Sequence, residues 1–241
     1  SDCILLDVKT GSGSFMKTLD DSRLLARTMV DIGRGADVRT AALITNMDSP
    51  LGSAVGNSLE VIESVEILKG KTSGDLWTVC RELSCRMLML AGIGDKDECG
   101  RLVDEAVESG EALKRFEMMV KLQGGDVSYI EDTSKFRKAS FSREVYAPAD
   151  GYITHMDSEK IGLTAVLLGA GREKKDDDIN HAAGIIIAAK TGDFVKRGEL
   201  LATLLADDES RLDGAESRYL SAVSIGDKKP AEQPMILDYI D

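Results

Sequence analysis

A chain of 241 residues with 43 % hydrophobic and 30 % charged side chains can bury the core of one large or two ordinary domains. Its net charge of −12 speaks against binding a nucleic-acid backbone, which takes clustered Lys and Arg to displace counterions. No apolar run nears the roughly 20 residues of a membrane span and no basic-then-apolar leader opens the sequence, which points to the cytoplasm and away from membranes.

The chain begins with "CILLDV", a continuous apolar run of the kind a buried strand shows, leading into "DVKTGSGSFMKT". In that loop Gly11 and Gly13 allow close backbone approach, Ser12 and Ser14 add hydroxyls, Lys9 adds a charge, and a helix start follows that favours an anion. The spacing is neither GxGxxG nor a P-loop, so the residues alone read equally as a ligand loop or a tight turn. In "TLDDSRLLARTMVDIG" the spacing of Leu24, Leu25, Thr28, Met29 and Ile32 predicts a helix, with Thr18 or Asp20 as N-cap and Gly33 as a stop. "RTAALITNM" is a second buried strand, running into the turn-rich "DSPLGSAVGN". Strand, loop, helix, strand, loop is α/β alternation.

From Asn57 to about Gln123 the pattern is helical. Asn57 or Ser58 caps "LEVIESVEILKG", and Leu76, Val79, Cys80, Leu83, Met87 and Leu90 mark one face of the next helix. The pairs Met87/Met89 and Met118/Met119 read as core packing. Cys3, Cys80, Cys85 and Cys99 form no CxxC and read as reduced structural thiols, while His155 and His181 stand in unlike contexts and suggest neither a zinc site nor a triad. Residues 126–145 read as a polar connection, and 173–178 ("EKKDDD") as an exposed charged loop. Beyond them short strands and Gly/Asp turns, with helical patterns near 161–170 and 207–220, form an α+β module.

Several long blocks, "LLDVKTGSGSFMKTLDDSRLLARTMVDIG", "ALITNMDSPLGSAVGNSLEVIESVEILKG", "KLQGGD", "APADGYI" and "GIIIAAKTGDFVKRGELLATL", resemble the pyrimidine-nucleoside phosphorylase/thymidine phosphorylase family, in that family's order and over nearly the whole chain. The resemblance implies a fold. It is the C-terminal part of a mixed-sheet α/β phosphorylase domain of glycosyltransferase family 3 type with a helical layer (1–125), a connection (126–145), and a smaller α+β C-terminal domain of barrel-sandwich type (146–241). It also implies an activity: phosphate attacks the anomeric carbon of a uridine- or thymidine-type nucleoside and releases the base and a pentose 1-phosphate, with no covalent enzyme intermediate.

Residue by residue, the resemblance places Phe15 near the pyrimidine, and Leu51, Ala54 and Glu63 at a potassium ion, the first two through their carbonyls. Without it, Phe15 reads as a core phenylalanine, and Glu63 as part of a solvated Glu60/Glu63/Glu66 stripe. Carbonyls in an irregular Pro/Gly turn and a carboxylate are the hard oxygen donors such an ion takes. In the family the "DVKTGSGSF" block lies near the middle of the polypeptide, after a helical domain, a "KHSTGG"-like phosphate loop and an Arg/Ser/Lys set that grips the base. The expectation is therefore a C-terminal fragment that holds no catalytic residue, is inactive alone and carries an incomplete potassium site, from an enzyme that is a homodimer through the helical domain. The alternative is a non-catalytic scaffold or carrier module, since "GDFVKRGELLATL" is similar to the turn-and-strand pattern of biotinyl and lipoyl domains. Against that, Lys190 does not stand in a Met-Lys-Met-like hairpin tip.

Overall fold

The computed structural model describes residues 2–172 and 174–241; Ser1 and Glu173, the latter opening the charged run 173–178, lie outside the described residues. In chain order the elements are β1 (Cys3–Thr10), α1 (Leu19–Gly35), β2 (Arg39–Asn46), β3 (Ala54–Val55), α2 (Asn57–Leu68), α3 (Gly74–Leu90), α4 (Lys96–Glu108), α5 (Glu111–Leu122) and α6 (Ser128–Glu131). They continue with β4 (Phe141–Tyr146), β5 (Gly151–Met156), α7 (Ser158–Leu168), β6 (Gly184–Ile187), β7 (Phe194–Val195), β8 (Leu200–Ala206), α8 (Leu212–Ala222), β9 (Val223–Gly226) and β10 (Ile236–Ile240). The chain is mixed α/β, with an α/β part and a small β-rich C-terminal part, as the sequence implies. No helix among the described residues is long and apolar enough to cross a membrane.

Two compact units are present: Ser1–Met47, Glu66–Gly125 and Gln233–Asp241 form the first, Asp48–Val65 and Asp126–Glu232 the second. These differ from a linear division into 1–125 and 146–241 in two places, since residues 48–65 fold with the second unit and the last nine residues with the first.

In the first unit β2 is the central strand of the order β1-β2-β10, parallel to β1 from Cys3↔Arg39 to Thr10↔Asn46 and antiparallel to β10. Ala41, Ala42, Leu43 and Ile44 are fully buried, which is why this strand reads as an unbroken apolar run. Helix α1 starts at Thr18, whose Oγ1 accepts the Asp21 N–H.

Its packing corrects the sequence reading. The buried residues are Ser22, Ala26 and Val30, whereas Leu24 and Ile32, on the expected apolar face, are each 68 % exposed. Close approach explains the choice, because a Cβ on Gly33 would lie 2.0 Å from Thr40 Oγ1. The row 22, 26, 30, 33 recurs at helical spacing, so the sheet selects the small-residue stripe and leaves the bulky one outside. Other corrections follow the same line: Met87, Met118 and Met119 are about half exposed, at 50 %, 51 % and 47 %, and are not core. Cys80 is exposed while Val79 and Cys85 are buried in α3.

The second unit holds a four-stranded sheet in the order β3-β6-β8-β4 and a three-stranded one in the order β7-β5-β9, all antiparallel. The stretch read as a connection contains α6 and most of β4. "YLSAVSIG" is helix to Ala222 and strand only from Val223. Val145, Ile153, Met156, Ile161, Leu168, Ile185, Leu201, Leu204 and Tyr219 form one cluster, none more than 1 % exposed. At about 1.5–3 kcal/mol for a large side chain fully buried, this cluster supplies most of what holds the unit together.

Candidate functional site

The glycine loop leaves the C-terminal end of β1, where open parallel sheets carry their ligands. It is tied partly to itself and partly to the segment after β2. Gly11 N–H donates to Met16 O (3.0 Å), Ser14 N–H to Gly11 O (3.1 Å) and Gly13 N–H to Met47 O (3.1 Å). Ser14 Oγ bonds Met16 O at 2.6 Å, and Gly11 has φ +130°, backbone that only glycine adopts without strain. Three amides of this loop are thus spent internally and do not face a phosphate. Lys9 is also spoken for: its Nζ lies 2.5 Å from Asp7 Oδ2, while Asp7 Oδ1 accepts the Thr45 hydroxyl at 2.6 Å. The first turn of α1 carries Asp20 and Asp21, which repel an anion there. The Gly11, Gly13 and Ser14 amides are therefore taken and offer nothing to an anion.

What the loop presents is Phe15, 98 % exposed on a backbone pinned on both sides. That exposure excludes a core phenylalanine.

The turn 50–54 and Glu63 lie in the second unit. Glu63, on α2, is half-buried, and its Oε1 accepts Ser53 N–H at 2.7 Å and its Oε2 Ala54 N–H at 3.1 Å. The reading of Glu63 as merely solvated is thereby corrected. Gly52 makes room for it, having φ +71° and no Cβ, which would stand 2.5 Å from Glu63 Oε2. Strand β3 is the edge of its sheet: Ser53 O accepts Ile187 N–H at 2.7 Å, and the alternation of a strand turns the N–H and C=O of Ala54 toward the free edge.

One functional candidate escaped sequence reasoning. Lys190 Nζ donates to Pro50 O at 2.7 Å and to Gly52 O at 2.9 Å. A contact across about 140 residues leaves no mark in local spacing. It also disposes of the carrier alternative, because a half-buried ammonium bound to two carbonyls is no free amine for biotinyl or lipoyl attachment. His155 and His181 are exposed, and among the described residues no three His, Cys, Asp or Glu side chains gather as a metal cluster.

Comparison with known proteins agrees with this architecture. Residues 1–113 match the glycosyl transferase family a/b domain, and residues 152–226 the pyrimidine nucleoside phosphorylase C-terminal domain. An α/β glycosyl-transferase unit joined to that C-terminal domain defines the class. The pyrimidine-nucleoside phosphorylases of Staphylococcus aureus strains bovine RF122 / ET3-1, USA300 and COL are each 40 % identical over 228 residues, 94 % of this chain and 52 % of each relative. The chain belongs to the pyrimidine-nucleoside phosphorylase family, and it spans about half the length of the curated relatives it matches.

Proposed function

We propose that this chain supplies the base-facing aromatic and a cation-binding turn of a cytoplasmic, homodimeric pyrimidine-nucleoside phosphorylase. The enzyme splits uridine- or thymidine-type nucleosides reversibly with inorganic phosphate, giving the free pyrimidine and a (deoxy)ribose 1-phosphate. The observation that carries the reading is Phe15. A phenylalanine left 98 % exposed forgoes the roughly 1.5–3 kcal/mol of burial, and here it does so on a fastened loop at the ligand end of a parallel strand pair. A ring so presented packs on the flat face of a pyrimidine.

For the ion, the Leu51 and Ala54 carbonyls and the Glu63 carboxylate are oxygen donors of the hard type potassium takes, and each Glu63 oxygen keeps a lone pair beyond the one its amide uses. Bound there, potassium would add a fixed positive charge beside the turn. Phosphate is gripped elsewhere in the intact enzyme: the Gly11, Gly13 and Ser14 amides are taken up within this chain and Lys9 is paired with Asp7. The chain alone is then inactive.

Phosphate-dependent release of uracil or thymine by the purified chain tests this. No release alone, and release once the N-terminal half of a Staphylococcus aureus relative is co-expressed with it, is the expected result. In that complemented protein Phe15→Ala raises KM for the nucleoside. Appreciable turnover by the chain alone overturns the division of labour.

A further inference from the structure

The turn 50–54 is held by two opposite charges acting on opposite poles of its peptides. The Lys190 ammonium takes the carbonyls of Pro50 (2.7 Å) and Gly52 (2.9 Å), and the Glu63 carboxylate takes the amides of Ser53 (2.7 Å) and Ala54 (3.1 Å). Irregular backbone must find partners for each such group, and charge-assisted hydrogen bonds are the strong ones. Two of the three ammonium protons are used on this one turn.

Lys190 is itself fixed. Its N–H donates to Asp193 Oδ2 at 2.8 Å, and its carbonyl accepts the Asp193 N–H at 3.0 Å, in a "KTGD" turn that Gly192 completes at φ +97°. The side chain is half-buried, so the ammonium acts where water screens it less than at the open surface. The carbonyls it holds flank Leu51 on both sides, and the amides Glu63 holds lead directly into Ala54.

We propose that Lys190 is a positioning residue for the turn that bears the Leu51 and Ala54 carbonyls: a resident cation that sets the turn's shape whether or not a monovalent ion is bound. This rests on the potassium reading only for its consequence, which is that the ion meets a pre-formed turn. The geometry of the turn itself belongs to Lys190 and Glu63.

The test uses the full chain, isotope-labelled, in choline chloride and then in potassium chloride at equal ionic strength. In choline, Lys190→Met keeps the aliphatic stem and removes the charge. The expected result is a shift of the Pro50 and Gly52 carbonyl carbons and an increase of about tenfold or more in amide exchange at Ser53 and Ala54, the scale of losing charged hydrogen bonds. The Ile185 and Leu204 amides of the sheet core stay protected, which shows that the variant is folded. Unchanged carbonyl shifts and exchange at the turn, or a loss of protection spread equally through the core strands, overturns the proposal. The potassium arm is read separately on the parent chain: a response at Leu51, Ala54 and Glu63 supports the ion reading, and its absence removes that reading while leaving the choline result on Lys190 to stand.

Discussion

The two units differ in how far their own residues close their cores. In the second, buried residues from β4, β5, α7, β6, β7, β8 and α8 form one cluster around Ile153, Ile185, Leu204 and Tyr219. In the first, the buried cluster on the α1 side is Val8, Ala26, Val30, Ala42 and Ile44, while Leu24, Ile32 and Leu122 stand 68 %, 68 % and 80 % exposed. Strand β1 is moreover an edge strand eight residues long, with Ile4 40 % exposed. A β-rich unit with one large closed cluster and an α/β unit with a small one coexist in one chain. The lesson is that amphipathic patterning says how much of an element is apolar, but only the neighbours say which part is covered.

The largest expected effect sharpens this contrast. Leu204→Ala, at a fully buried position of the second unit, costs about 3 kcal/mol, while Leu24→Ala on the open face of α1 stays within about 0.5 kcal/mol. Amide exchange of the second unit's strands reads the first. The fluorescence of Trp77, the single tryptophan, in α3 of the first unit, reads the second. Equal losses at the two positions would break the comparison.

Next in size, Gly52→Ala forces a Cβ to within 2.5 Å of Glu63 Oε2 at φ +71° and is expected to cost about 1–3 kcal/mol, measured by urea unfolding. A neutral outcome would mean that Glu63 does not depend on this close approach. Thr18→Ala removes the cap of α1 and should cost the first unit about 1 kcal/mol, seen as a lower thermal midpoint of the Trp77 signal.

The smallest effect is a dependence on pH confined to the second unit. The Ser140 N–H, with Arg137 and the Ser140 hydroxyl beside it, holds the Asp207 carboxyl down at about 2. This folded value lies below that of an unfolded aspartate, about 3.9. Its contribution is therefore present above a pH of about 4 and is lost as the pH falls through about 2. Asp207→Asn should flatten the acid limb of the unfolding curve over that window and change little near neutrality; an unaltered limb would show that the network is not formed in solution.

Much of the chain was legible residue by residue. The apolar runs gave β1 and β2 to within two residues, and Thr18 caps α1 where the sequence expects it, whereas Asn57 is the first residue inside α2 and its side chain donates to Ala170 O. Less legible was β10, whose "ILDYI" has no distinctive neighbours and owes its place to pairing with β2, to the Arg23–Asp238 ion pair at 2.6 Å and to Arg86 stacked 4.3 Å from the Tyr239 ring centre. The family blocks raised the expectation for Phe15, Leu51, Ala54 and Glu63, but they said nothing of how the backbone around them is satisfied.

The sequence by itself determined the α/β order and the family, because periodicity, caps and long matching blocks are properties of neighbours along the chain. Tertiary structure alone decided that α1 buries Ser22, Ala26 and Val30, that the Gly13 amide of the glycine loop goes to Met47 O after β2, and that Lys190 reaches the turn before Glu63. Each of those choices is a contest between alternatives of similar local merit. It is settled by steric approach and hydrogen-bond partners contributed from distant points of the chain, which no local pattern encodes.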